Sequence, residues 1–280
     1  MPDTPRIPLT HLTGAADPSR RFRLIEQVRR GLRERRYSRR TEEAYVHWIR
    51  RFVIYHGRRH PRELNEQAVG QFLSALAVDD HVAASTQNQA LAAVTFLYDH
   101  VLQRPLARID GIEPARSSQH VPVVLSEIEM RAVLGKLEEP YRLCAMLMYG
   151  GGLRLLECMT LRVKDIDSRR RQITVRYGKG GKDRRVPLAD ACVPMLERLL
   201  TRQQAHFDRD RRRNIRTTGI SPALLRKYQN ADGEWLWWYV FPARRTFVDE
   251  LNIRRRHHLH ESMMQRTFRA AATAARLRSE

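Results

Sequence analysis

The run Gly150-Gly151-Gly152-Leu153-Arg154-Leu155-Leu156-Glu157 places an arginine and a glutamate among glycines and leucines. A guanidinium withdrawn from water costs on the order of several kcal/mol unless it is paired. Glu157 lies three residues after Arg154, on the same face of a helix, and can supply that pairing. A second chemistry fits the same spacing: an arginine held at the start of a packed helix, its planar fork aimed at a phosphate. The glycines upstream would let another backbone approach. Both readings stand on the motif alone.

Tyr177-Gly178-Lys179-Gly180-Gly181-Lys182-Asp183 is a basic, glycine-rich turn. A lysine at such a tip is either a solvated turn residue or a mobile proton donor for a leaving oxygen. Lys179 is the candidate and Lys182 its competitor. No phosphate-cradling GxxxxGK[ST] spacing is present, so the glycines do not form a nucleotide loop. His257, His258, His260 and Glu261 cluster as HHxHE, which is not a zinc-ligand spacing; stacking on a base or lying near a phosphate suits them better. Trp235, Trp237 and Trp238 suit a core, a subunit contact or base stacking.

The 280 residues carry a formal net charge of +20, which favours a polyanionic partner, nucleic acid first. Hydrophobic residues make up 42%, enough for real cores in one or two domains. Cys144, Cys158 and Cys192 form no CxxC pair, so neither a zinc site nor a disulfide framework is expected; a reducing cytoplasm fits. No run is apolar and long enough for a signal peptide or a membrane span.

Elements must position these residues. Leu24, Ile25, Val28 and Leu32 keep helical spacing, with arginines opposite. Ala44, Tyr45, Trp48, Ile49 and Phe52 make a second stripe between a Ser38 cap and a Gly57 stop. Asn65 caps a third helix with Val69, Phe72, Leu73 and Leu76 inward, and a fourth runs through Leu91, Val94, Tyr98 and Leu102. A mobile arm is expected over residues 1–19, a helical bundle over 20–104, and a Pro- and Ser-containing linker over 105–122. A second domain then opens with a Ser126–Glu129 capping box. It continues through a buried helix ending at the glycines, a helix at Leu155, a hairpin of QITVRY and RRVPL, a long helix, an aromatic segment and a last helix holding Met263, Phe268 and Ala271.

GGLRLLECMTLRVKDID followed by VRYGKGGKDRRVPL resembles the tyrosine-type site-specific recombinases. LLRKYQNADGEWLWWYVFPARR with RRRHHLHESMMQRTFRAAATAAR resembles their integron integrase branch, which carries an inserted segment, here about 220–260. The resemblance covers about residues 20–276. It implies a mainly α fold with a small β-hairpin or sheet: an N-terminal helical core-binding (SAM-like) domain, then a catalytic domain over 123–280.

It also implies chemistry. Two arginines, a lysine and histidines hold the scissile phosphate, a tyrosine attacks it, and a 3′-phosphotyrosyl intermediate forms as a 5′-hydroxyl leaves. Neither ATP, metal nor any other cofactor is needed. Arg154 matches the first arginine, Lys179 the hairpin lysine that protonates the leaving oxygen, and Glu157 the acid that orients the arginine. Gly151 stands where relatives often have threonine. Arg36, Arg39, Arg40, Lys182, Trp237, His257 and His258 are candidate DNA contacts, the aromatic ones toward extrahelical bases of folded single strands. The implied partners are double-stranded and folded single-stranded sites, with four protomers on two sites.

The family's His-x-x-Arg box and nucleophilic tyrosine would follow the last helix, and the sequence stops before them. The catalytic domain is therefore expected to be incomplete, inactive and short of packing partners for its apolar surface. A non-catalytic DNA-binding module that competes at recombination sites is the rival expectation. A general basic RNA-binding protein would explain the charge but not the arginine box and hairpin together.

Overall fold

The computed structural model describes residues 18–106, 124–176, 178 and 182–275, the side chains of 18–23 excepted. The expected arm over 1–19 and linker over 105–122 fall almost wholly outside them. The chain divides into two compact units between Pro122 and Val123.

The first unit contains α1 (Pro18–Glu34), α2 (Arg39–Tyr55), α3 (Glu66–Val78) and α4 (Ala84–Phe96), the last continuing as a π-helical turn over Leu97–Val101. The apolar stripes drive the assembly. Val28, Leu32, Ile49, Phe52, Val69, Leu73, Val94 and Tyr98 are inaccessible or nearly so and form one core. The ends follow from side-chain chemistry. Ser38 accepts from the Thr41 amide at 3.1 Å, and Asn65 from the Ala68 amide at 3.1 Å, each satisfying a first-turn donor. Gly57, at φ 64°, takes the left-handed conformation that stops α2. Among its described residues one acid is buried: Glu42, bonded to Arg29 at 3.0 Å and Arg33 at 2.9 Å.

The second unit begins with α5 (Glu127–Lys136), whose Ser126–Glu129 capping box is formed in both directions. There follow α6 (Tyr141–Gly151), α7 (Leu155–Met159), a 3₁₀ turn at Val163–Asp165, β1 (Ile166–Asp167), β2 (Gln172–Val175), β3 (Arg184–Pro187) and α8 (Val193–Arg212). β1, β2 and β3 form an antiparallel sheet in that order, with Ile173 opposite Val186 and Thr174 opposite Arg185. Ile173 and Val175 point into a core with Leu147, Cys158, Met159, Leu196 and Phe241. Cys144, Cys158 and Cys192 are free and buried, as small hydrophobes.

Beyond α8 come β4 (Arg216–Thr217), α9 (Pro222–Lys227), 3₁₀ turns at Ala231–Gly233 and Trp235–Trp237, β5 (Pro242–Val248), β6 (Arg254–His258) and α10 (Glu261–Ala274). β6 lies between a parallel β4 and an antiparallel β5. The sequence does not announce this second sheet: its strands are rich in arginine, and Arg216, Arg255 and Arg256 are paired with Asp232 and Asp210, acids well outside the strands. α10 returns to α5, α6 and α7, burying Met264 and Ala271, with Met263 and Phe268 at its margin.

Candidate nucleic-acid interface

Arg154 is the N-cap of α7. The chain leaves α6 through Gly152, at φ 60°, and turns so that α7 starts one residue after the arginine. Gly151 fits because β3 is close: a Cβ there would lie 3.2 Å from the Pro187 carbonyl oxygen. The expectation of a withdrawn guanidinium is corrected. The Arg154 side chain is 57% exposed, whereas Glu157 is 10% exposed. The carboxylate is the buried member of the pair.

Four donors converge on Glu157, two of them from Arg154. Its Oε2 accepts from the Arg154 amide and its Oε1 from Arg154 Nη1, both at 2.8 Å. Arg184 of β3 approaches from the other side, Nη1 to Oε1 at 2.7 Å and Nη2 to Oε2 at 2.6 Å. These bonds, those of Arg184 foremost, hold the Glu157 pKa at about 2 against the opposing effect of desolvation. Arg184 was not foreseen; nothing local in RRVPL marks it, since its partner lies 27 residues away.

The β2–β3 turn meets this cluster through Gly178. Its amide donates to the Lys182 carbonyl at 3.1 Å, and an added Cβ would stand 3.1 Å from Arg184 Nη1. Lys182 is exposed. Lys179 lies outside the described residues.

A second cluster forms where the strand-like run Leu161–Val163 pairs with Trp238–Val240. Val163 donates to the Trp238 carbonyl at 3.0 Å and Val240 to that of Leu161 at 2.9 Å. Arg162, 8% exposed, is its hub. It donates to the Trp237 carbonyl, to the Thr218 carbonyl at 2.8 Å and to Tyr239 Oη at 3.2 Å. Burial lowers its pKa, opposed by the Tyr239 and Asp165 charges.

Trp237, His257 and His258 gather around this hub. Trp237 is half-buried, with Lys164 Nζ 2.9 Å from its ring centre. Trp238 is core, against Phe207 and His206. His257 Nδ1 lies 2.6 Å from Thr218 Oγ1, and its ring centre is 3.9 Å from that of His258. Desolvation comes first and the neighbouring His258 and Arg162 next in lowering the His257 pKa to about 4, so this imidazole is neutral at pH 7. His258 is also lowered, mainly by desolvation. Lys164 falls to about 8, again chiefly by desolvation. His260 serves α10, accepting from the Ser262 amide at 3.2 Å. Among the described residues no group of three or more His, Cys, Asp or Glu could hold a metal ion.

Arg36, Arg39 and Arg40 are exposed on the first unit; Arg39 pairs with Glu43 at 3.0 Å. Surface pairs of this kind are worth little and yield readily to a polyanion. Among the described residues no helix is long and apolar enough to cross a membrane.

Residues 24–108 match the phage integrase N-terminal SAM-like domain, and residues 123–280 match the phage integrase family. Two proteins called integrase/recombinase, one from Escherichia coli and one from Pseudomonas aeruginosa, are each 40% identical over 264 residues, which is 94% of this chain and 78% of theirs. Among solved structures, a lambda integrase dimer bound to a COC′ core site superposes with a TM-score of 0.57 at 14% identity, covering 92% of this chain and 80% of that one. A lambda integrase tetramer bound to a Holliday junction gives 0.55 at 15% identity, covering 92% and 64%. At such identities these structures speak for the fold, which agrees with the mainly helical, two-domain architecture. The chain belongs to the phage integrase family of tyrosine recombinases, whose work is site-specific DNA recombination.

Proposed function

We propose that the chain is a DNA-binding recombinase of the integron integrase type, acting on gene cassettes in the cytoplasm. The observation that carries this reading is the Arg154–Glu157–Arg184 cluster at the root of a basic hairpin. An anchored, outward-facing arginine is suited to neutralise charge on a pentacoordinate phosphate. Glu157 orients it. Lys179, which matches the family's hairpin lysine in sequence, is the acid for the leaving 5′-oxygen. The attacking tyrosine of the family gives the 3′-phosphotyrosyl intermediate.

The inserted segment supports the integron assignment. Trp237, His257 and His258 lie around one hub, neutral at pH 7 in the case of His257, which suits contact with a base more than with a phosphate. Arg36, Arg39, Arg40 and Lys182 supply phosphate contacts. The partners are double-stranded and folded single-stranded sites, bound by four protomers.

Residues 1–280 include no tyrosine that the resemblance identifies as the nucleophile and no second arginine. The polypeptide of these 280 residues is accordingly expected to bind such sites without cutting them, competing with an intact recombinase. A nicked suicide duplex tests this. Binding without a covalent protein–DNA adduct supports the reading; an adduct that survives denaturing electrophoresis contradicts it.

A further inference from the structure

Glu157 carries one negative charge and faces two guanidinium groups, and the two are not equivalent. Arg184 grips both carboxylate oxygens side-on, at 2.7 and 2.6 Å. The Arg154 side chain makes one bond, through Nη1 at 2.8 Å. Side-chain exposure follows the same order, 34% for Arg184 and 57% for Arg154. Arg184 is thus the cation that satisfies the carboxylate, and Arg154 the one whose fork remains open.

Charge makes this asymmetry matter. One carboxylate between two guanidiniums leaves a net positive charge at the start of α7. If Arg184 were removed, the geometry of two oxygens and a planar fork would favour a two-bond pair between Glu157 and Arg154. The cluster would then be neutral, and its arginine engaged. The same residue also fixes the turn. Gly178 has no room for a side chain between Arg184 and the Lys182 carbonyl, 3.1 and 2.9 Å from the position a Cβ would take.

We propose that Arg184 is a positioning residue that reserves Arg154 for a DNA phosphodiester: it occupies both oxygens of Glu157, so that Arg154 is anchored by one N–H and keeps its charge for the incoming phosphate. This rests on the reading of Arg154 as the phosphate-binding arginine. It makes Glu157 a competitor as well as an anchor, held in check from β3.

The test uses the full 280-residue chain and a duplex enriched from a random DNA library. Each phosphate near the centre of the enriched sequence is replaced singly by an uncharged methylphosphonate. At one position the unaltered protein is expected to lose about tenfold in affinity, the size of one charge-assisted contact. R154A should show no such sensitivity. R184A should lose it too, because Arg154 is drawn onto Glu157. Adding E157Q to R184A should restore it, because the competing charge is gone.

A role for Arg184 in folding alone makes the opposite prediction, with the double variant no better than R184A. Where R184A fails to fold, R184K and E157Q/R184K carry the same comparison, since lysine keeps the charge but not the two-pronged grip. If no phosphate depends on Arg154, the phosphate reading falls and this proposal with it. If such a phosphate exists but R184A leaves it sensitive, or E157Q fails to restore it, the proposal is overturned and the phosphate reading stands.

Discussion

The guanidinium of Arg162 lies 4.3 Å from the ring centre of Tyr239, and both side chains donate to the Thr218 carbonyl, at 2.8 and 2.9 Å. One buried cation thus joins the run after α7 to the end of β4 and to the inserted segment. R162A would strip hydrogen bonds from the Thr218 and Trp237 carbonyls together, and should destabilise the second unit by about 3 kcal/mol. Y239F leaves Thr218 bonded to Arg162 and should cost about 1 kcal/mol. Urea unfolding of the two variants checks the order; equal losses would remove Arg162 as the hub.

Arg256 and Asp210 are both almost wholly buried and joined by two bonds, with Nη2 to Oδ1 at 2.9 Å. Arg256 Nη1 also donates to the Ala243 and Arg244 carbonyls, at 2.7 and 2.8 Å. D210A would leave a buried cation unpaired and should cost about 3–5 kcal/mol. Replacing both partners, as D210L/R256M, should cost less than D210A alone. A chemical-denaturation comparison in which the double variant is the weaker of the two would contradict this.

Acid should weaken the second unit through Glu157. Its folded pKa, about 2, lies below the ordinary 4.5, so its stabilisation is complete above about pH 4.5 and is lost as the pH falls toward 2. The full effect is about 3 kcal/mol at most, from 1.36 kcal/mol per pH unit. E157Q should flatten that part of the stability-against-pH curve. A curve of unchanged slope between pH 4.5 and 2 would show that another group is responsible.

Base contact by the inserted segment calls for a neutral His257. Its imidazole proton resonances should titrate near pH 4 rather than 6.5. W237A and H258A should weaken binding to a folded single-stranded cassette site more than binding to the duplex, by about tenfold for one lost stack. Equal losses on both DNAs would assign these side chains to structure.

The stripes of α1 to α4 were legible because each buries one face against the others, so Val28 and Leu32, Ile49 and Phe52, Val69 and Leu73, and Val94 and Tyr98 keep helical spacing. The Ser126 and Asn65 caps were legible because their partners lie three residues away. Arg162, Arg184 and Arg256 were not, since the side chain of each is fixed by partners 12 to 77 residues distant. For the same reason β6, written Arg254-Arg255-Arg256-His257-His258, resembles a solvated basic run. In fact Arg255 is held by Asp232 and Asp249, and Arg256 by Asp210. Arg154 and Glu157 were found together, but that the carboxylate is the buried member of the pair was not legible, because the run of leucines does not reveal which of the two is covered.

The most direct test of the central claim is the affinity of the 280-residue chain for a library-enriched DNA site as a function of salt, with R154A alongside. A recombinase-type binder predicts enrichment of a defined site, an affinity that falls steeply and linearly on a log–log salt plot, and a loss of about tenfold for R154A at fixed salt. Failure to enrich any site, or an R154A affinity equal to that of the unaltered chain at every salt concentration, would contradict it.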